Sequence, residues 1–224
     1  MPADIEDTNV KLAAIYRFLA RSMQYPGQQF PDDSVLPFLY LLLEQLGRFD
    51  AQHELQCALK NDPDPLESLQ VEHTRLFING VPGTIAPPYG SVYLPGEGTL
   101  MGKSTEEVLG FYRLKGFDLA AREDIPDYLV TELEFLSHLA EAGDTDGETR
   151  FLKRYFRPWF EIFQQRVIEE AAHPFYKVMV GLIDFFTTEG EHDVIQPDET
   201  KVPADRFSGS CFSTACENRP GGAE

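Results

Sequence analysis

From Leu12 to Phe186 apolar residues return every three or four positions, a period that dictates helices. Thr8 or Asn9 can cap a first helix, in which Leu12, Ile15, Tyr16 and Leu19 share a face. Pro26 and Gly27 punctuate its end. Asp33 or Ser34 caps a second helix, apolar nearly all round from Leu36 to Leu46, which predicts burial on most sides. Gly47 is its stop. A short polar helix is expected from His53 to Lys60. Asp64 caps the next, with Pro65 at its first position and Leu66, Leu69, His73, Leu76 and Phe77 along one side. Ser104 and Glu107 form a capping box before Val108, Phe111 and Tyr112, and that helix ends near Gly116. Pro126 opens a helix with Leu129, Leu133, Leu136 and Ala140 inward. Phe151, Tyr155 and Phe156 follow, Pro158 kinks or restarts the chain, and Trp159, Phe160, Phe163 and Val167 continue the face. Pro174 begins a last helix through Phe175, Met179, Leu182 and Phe186. The only strand-like run is "GSVYL", and one strand makes no sheet. The fold class is therefore all-α, with about eight or nine helices and no internal repeat.

One helical domain is expected over residues 1–190, with a soft hinge at 117–125 between two helical sets, and a flexible tail over 191–224. Inside the domain, between Phe77 and Lys103, lies a loop of about twenty residues, far longer than the usual connection of about 4–6. It is rich in Gly, Pro and Tyr and almost uncharged, so it lacks the composition of disorder.

Charge narrows the function. Nineteen Lys and Arg face 37 Asp and Glu, a net −18. That opposes binding to nucleic acid and to anionic membrane surfaces, and favours a basic partner. No apolar run reaches the roughly 18–20 residues that span a bilayer, so no stable membrane insertion is expected. The acidic start "MPADIEDTNV" has no signal-peptide character, and Cys57, Cys211 and Cys216 make no disulfide framework. Both point to a cytoplasmic protein.

Catalytic chemistry is not encoded in any motif. "GEGTLMGKST" approaches a phosphate loop, but the spacing needs glycine where Glu97 stands. Glu170/His173 and Glu189/His192 have the Glu-x-x-His spacing of bundle di-metal centres, yet His173 precedes Pro174 at a break and His192 falls in the tail. Cys211 and Cys216 lack further ligands, and Glu134/His138 reads as a pair at helical spacing. No catalytic residue, metal or cofactor is expected.

Three pieces, "EHTRLF" (Glu72–Phe77), "APPYGSVYL" (Ala86–Leu94) and "IPDYLVTELEFLSHL" (Ile125–Leu139), resemble in order and spacing the TorD/DmsD family of cytoplasmic chaperones for molybdenum-containing reductases. "AAHPFYKVM" is similar to that family's last helix. The resemblance implies an all-helical chaperone that binds the twin-arginine leader of a molybdoenzyme catalytic subunit and delays export until cofactor insertion. It implies peptide contacts at Leu76, Phe77, Tyr89, Tyr93, Gly102, Asp127 and Tyr128. Tyr128 stands where the family usually has His, and His73 where it usually has an aromatic. The oligomeric state stays open between a monomer and a domain-swapped dimer.

The residues agree on physical grounds. A leader that is basic and then apolar needs a carboxylate beside an apolar wall. Asp127 is the expected carboxylate, and the Pro87–Pro88 loop is the stiffened wall. The rival readings are an enzyme, either a nucleotide hydrolase or a metal-dependent oxidase, and a permanent subunit of a reductase complex.

Overall fold

The apolar period resolves into nine α-helices in the computed structural model, which describes residues 2–27, 35–81, 83–94, 102–119 and 125–188, and only the backbone of 2–6. Helices α1 (Pro2–Ser22), α2 (Val35–Gln45), α3 (Phe49–Asn61) and α4 (Pro65–His73) precede the long loop. After it come α5 (Lys103–Leu114), α6 (Leu129–Glu141), α7 (Thr145–Phe151), α8 (Arg157–Glu170) and α9 (Pro174–Thr187). Wide π-type turns continue α4 through Thr74–Ile78 and join α7 to α8 through Leu152–Phe156. The described residues contain no strand, only an isolated antiparallel bridge between Tyr89 and Tyr128.

Local chemistry sets the helix ends. Gly47, Gly116 and Gly143 take φ of 66°, 72° and 64°, where only glycine is unstrained. Each lets the next N–H turn back to a carbonyl of the finished helix: Arg48 to Leu43 (2.8 Å), Phe117 to Tyr112 (3.0 Å) and Asp144 to Leu139 (3.0 Å). Asp64 and Asp144 then cap α4 and α7, accepting from the Glu67 and Gly147 N–H groups at 3.1 and 3.0 Å.

Four expectations at helix starts need correction, the one at Pro126 because that residue and Asp127 form a turn and α6 begins only at Leu129. Helix α1 begins at Pro2 rather than after Thr8 or Asn9, since a first-turn proline forfeits no hydrogen bond. Helix α3 begins at Phe49, directly after the Gly47 turn. At α5 the cap is Gly102, with no side-chain capping bond. Glu107 instead faces the turn between α7 and α8, where it accepts from Arg154 Nη2 at 3.2 Å.

Helix α6 is the axis of the core. From Leu129 to Ala140 only Glu134 and His138 escape burial. Helix α1 runs along it, brought close where small Ala13 meets Ser137, whose hydroxyl donates to the Ala13 carbonyl at 2.9 Å. Tyr112 and Phe151 flank Phe135 of α6 with ring centroids at 4.4 and 4.8 Å, fastening α5 and α7 to the same axis.

Part of "EHTRLF" is a clamp. The buried Glu72 carboxylate accepts from Arg75 Nε (2.8 Å), Arg75 Nη2 (3.0 Å) and the Ala172 N–H (2.6 Å). Arg75 also donates to the Glu170 carbonyl at 2.6 Å, so α4 is tied to the α8–α9 turn. Burial alone would raise the Glu72 carboxyl, but the Arg75 and backbone bonds override it and hold it below its ordinary value. No helix among the described residues is long and apolar enough to cross a membrane. The expected tail, with Cys211 and Cys216, lies outside the described residues, and the expected hinge is described only at its two ends.

Candidate functional site: a loop pinned over the start of α6

The long loop reaches α6 through backbone pairing. Its entry is fixed by the Ala86 N–H on the Leu76 carbonyl (2.8 Å). The Leu129 N–H then donates to the Pro88 carbonyl and the Gly90 N–H to the Asp127 carbonyl, both at 2.9 Å, which produces the Tyr89–Tyr128 bridge. "GSVYL", the only strand-like run of the sequence, is a 3-10 turn over Gly90–Val92 closed by the Tyr93 N–H on the Gly90 carbonyl (3.0 Å). Pro87 and Pro88 have no N–H to extend a ladder.

The Asp127 side chain completes the fastening. One oxygen accepts from the Ser91 N–H at 2.7 Å and the other from the Thr105 hydroxyl at 2.9 Å. Asp127 is 1% exposed. The carboxylate expected to meet a peptide arginine is therefore turned inward, holding loop, α5 and α6 together.

The other six candidates divide by burial. Leu76 is fully buried, and Phe77 packs on Tyr176 and His73 at centroid distances of 5.3 and 5.0 Å. Tyr93 is buried against Trp159, nearly parallel at 6.0 Å, with the Arg166 guanidinium 4.9 Å above its ring. Burial pushes its hydroxyl far above the usual range. Gly102 is half-buried at the start of α5. Tyr89 and Tyr128 are half-buried and adjoin each other at 5.2 Å, with 31° between their planes. Burial, with Tyr89 and Glu134 adding to it, pushes Tyr128 up to about 12. Burial and then Asp127 raise Tyr89 too, so both rings present neutral hydroxyls at neutral pH.

Beneath the loop, between it and α5, α6 and α8, lies a cavity of about 110 Å³ lined by Gly90, Asp127, Glu132, Tyr155 and Trp159 among others. That is several times the ~10–15 Å³ that admits a water and well under the ~300 Å³ of a typical small-molecule pocket. Gly90 presses on the indole so closely that a Cβ there would lie 3.0 Å from Trp159 Cδ1 and Nε1. Trp159 Nε1–H donates to Glu132 Oε2 at 3.1 Å, while Glu132 Oε1 has no hydrogen-bond partner among the described residues. Glu132 is 1% exposed, and burial, then the nearby Asp127, pushes its carboxyl well above the carboxylate range. Sequence reasoning missed Glu132, although the signal was present: it lies three residues after Leu129 and four before Leu136, on the inward face. Ser91 and Thr105 carried no such signal.

The described residues hold no group of three or more His, Cys, Asp or Glu placed to bind a metal. His173, one half of a Glu-x-x-His pair, caps α9 by accepting the Phe175 N–H at 3.1 Å. Its would-be companion pair, Glu189 and His192, lies outside the described residues.

Comparisons with known proteins agree with this architecture. The profile of the nitrate reductase delta subunit family matches residues 44–165, more than half of the chain. The Tat proofreading chaperones DmsD of Salmonella paratyphi A and Salmonella typhi are each 31% identical over 136 residues, covering 60% of this chain and 66% of theirs. The match thus spans just under two thirds of each relative's length. A crystal structure described as a redox enzyme maturation protein, from Archaeoglobus fulgidus, superposes with a TM-score of 0.54 at 26% identity, covering 77% of this chain and 93% of the other. These relatives are named as chaperones and maturation proteins rather than enzymes. The chain belongs to the nitrate reductase delta subunit family, the TorD/DmsD group of redox-enzyme maturation proteins.

Proposed function

We propose that the protein is a cytoplasmic, non-enzymatic chaperone that binds the twin-arginine leader of a molybdenum-containing reductase precursor and delays its export until the cofactor is inserted. The observation that carries this reading is the Tyr89–Tyr128 pair: two neutral, half-buried aromatic rings held side by side by a backbone-pinned loop. A preordered aromatic wall gives an apolar peptide segment contact area with little ordering entropy lost. The net −18 draws in the basic end of the same peptide. The relatives' name, Tat proofreading chaperone, accords with such a ligand. Of the seven contact candidates, Tyr89, Tyr128 and Gly102 keep surface for a peptide, while Leu76, Phe77, Tyr93 and Asp127 are buried.

Calorimetric titration with the leader peptide tests this. Tyr89→Ala and Tyr128→Ala should each weaken binding by about 1–3 kcal/mol while circular dichroism stays native. Raising salt from about 50 to 500 mM should slow association, because the Debye length falls from roughly 14 to 4 Å. A leader that fails to bind the wild type sinks the proposal.

A further inference from the structure

Resting on that reading, we propose that the cavity beneath the loop is the subsite for one guanidinium of the leader, with Glu132 as its receiving carboxylate and Tyr155 and Trp159 as its flat walls. Among the described residues lining the cavity, Glu132 is the one with a buried oxygen that meets no donor of those residues beside an oxygen that does. A lone carboxylate oxygen in an apolar surrounding is costly unless a donor meets it. Guanidinium fits the remaining demands: it is planar, carries several donors and stacks on aromatic faces. The cavity's size admits one side-chain head and excludes a nucleotide or a pterin-sized cofactor.

The cavity also has a stand-in cation. Arg154, from the turn before α8, lines it, with its guanidinium 5.3 Å from the Tyr155 centroid and bonded to Glu107 at 3.2 Å. Both Arg154 and Glu107 are well exposed, so that pair is weak, and an incoming arginine can take over the aromatic face.

Protons accompany the binding. The groups facing Glu132 are Asp127 before α6, Tyr112 and Glu107 of α5, and Arg154, Tyr155 and Trp159 from the α8 side. Burial and Asp127 keep the Glu132 carboxyl protonated above the pH at which ordinary carboxylates ionise. A guanidinium favours the carboxylate, so the proton leaves to buffer as the ion pair forms. Affinity should therefore rise with pH from the ordinary carboxylate range up to the value Glu132 has in the free protein, and level off above it.

The experiment pairs Glu132→Gln with leaders in which either arginine is replaced by citrulline, its neutral isostere. With wild type, one citrulline position should lower affinity by about 10- to 100-fold, and calorimetry in buffers of different ionisation heat should show proton release. With Glu132→Gln that position should no longer distinguish arginine from citrulline, and the proton release should vanish. Arg154→Ala should bind the arginine leader at least as tightly as wild type. If Glu132→Gln keeps the wild-type arginine-to-citrulline ratio at both positions, the subsite is refuted while leader binding stands. If no leader binds wild type, the function fails and the subsite is judged alone, with N-methylguanidinium as the probe. Trp159, the only tryptophan, then reports: a fluorescence change in wild type that is absent in Glu132→Gln supports the subsite, and none in wild type refutes it.

Discussion

Replacing Asp127 separates fastening from ligand contact. Its carboxylate is 1% exposed and takes two donors, the Ser91 N–H at 2.7 Å and the Thr105 hydroxyl at 2.9 Å. In Asp127→Ala both lose their acceptor. Each orphaned buried donor costs about 1–3 kcal/mol, and the Thr105 hydroxyl can rotate to soften its share, so about 2–4 kcal/mol is expected. For a domain of this size that lowers Tm by roughly 5–15 °C. Asp127→Asn keeps the shape: its amide oxygen can accept from Ser91 while its NH₂ meets the Thr105 oxygen, so two charge-assisted bonds become neutral ones at about 1–2 kcal/mol. Thr105→Val in each background closes a double-mutant cycle and should show coupling with Asp127. Urea unfolding followed by circular dichroism gives the energies, and hydrogen exchange at the Gly90 and Ser91 amides locates the effect. Leader affinity should fall for arginine and citrulline peptides alike, because the wall loosens and no arginine partner is lost. Wild-type Tm and wild-type protection at Ser91 in Asp127→Ala would refute the fastening role.

Two further substitutions probe the same packing. Gly90→Ala sets a methyl 3.0 Å from the Trp159 indole, so overpacking of about 1–3 kcal/mol and a shifted tryptophan emission are expected; unchanged emission would show that loop and indole do not touch. Glu72→Gln turns an NH₂ toward the Arg75 or Ala172 donors and should cost about 2–3 kcal/mol at neutral pH by denaturant titration. Because the folded Glu72 carboxyl sits below its unfolded value, its contribution is present above about pH 4.5 and fades as pH falls through the folded value. The gap between wild type and Glu72→Gln should close on acidification, and a gap independent of pH would count against the clamp.

The helices were legible because their signals are local. Gly47 and Gly116 stop helices as a glycine after an apolar run should, and Asp64 with Pro65 starts one. Period and punctuation are both within reach of a sequence reading. The failures share a cause in distant contacts. Ser104 and Glu107 have capping-box spacing, but Arg154, 47 positions further along the chain, draws Glu107 aside. "GSVYL" has strand propensity, yet its backbone is claimed by Asp127 and by its own tight turn. Asp127 looked like a surface carboxylate because it follows a proline near a helix start, and nothing local to it names Ser91 or Thr105 as partners.

The two acids that open α6 show why an apolar loop needs a polar underside. Asp127 and Glu132 are equally buried, and a buried carboxyl costs stability unless hydrogen bonds offset its lost hydration. For Asp127 the desolvation is offset inside the protein, since its side chain accepts two hydrogen bonds and its backbone carbonyl accepts a third from the Gly90 N–H. For Glu132 it is only half offset: one oxygen meets the Trp159 N–H, the other meets no donor among the described residues, and the neighbouring Asp127 makes ionisation harder still. A buried acid with only one of its oxygens met by a donor of the described residues leaves the other costly, and a cation arriving from outside would relieve that cost. On the proposed reading the loop has two faces with different work: tyrosines that would offer area to an apolar segment, and a cavity whose acid would receive a charge. A basic residue followed by an apolar stretch is the peptide chemistry that satisfies both at once.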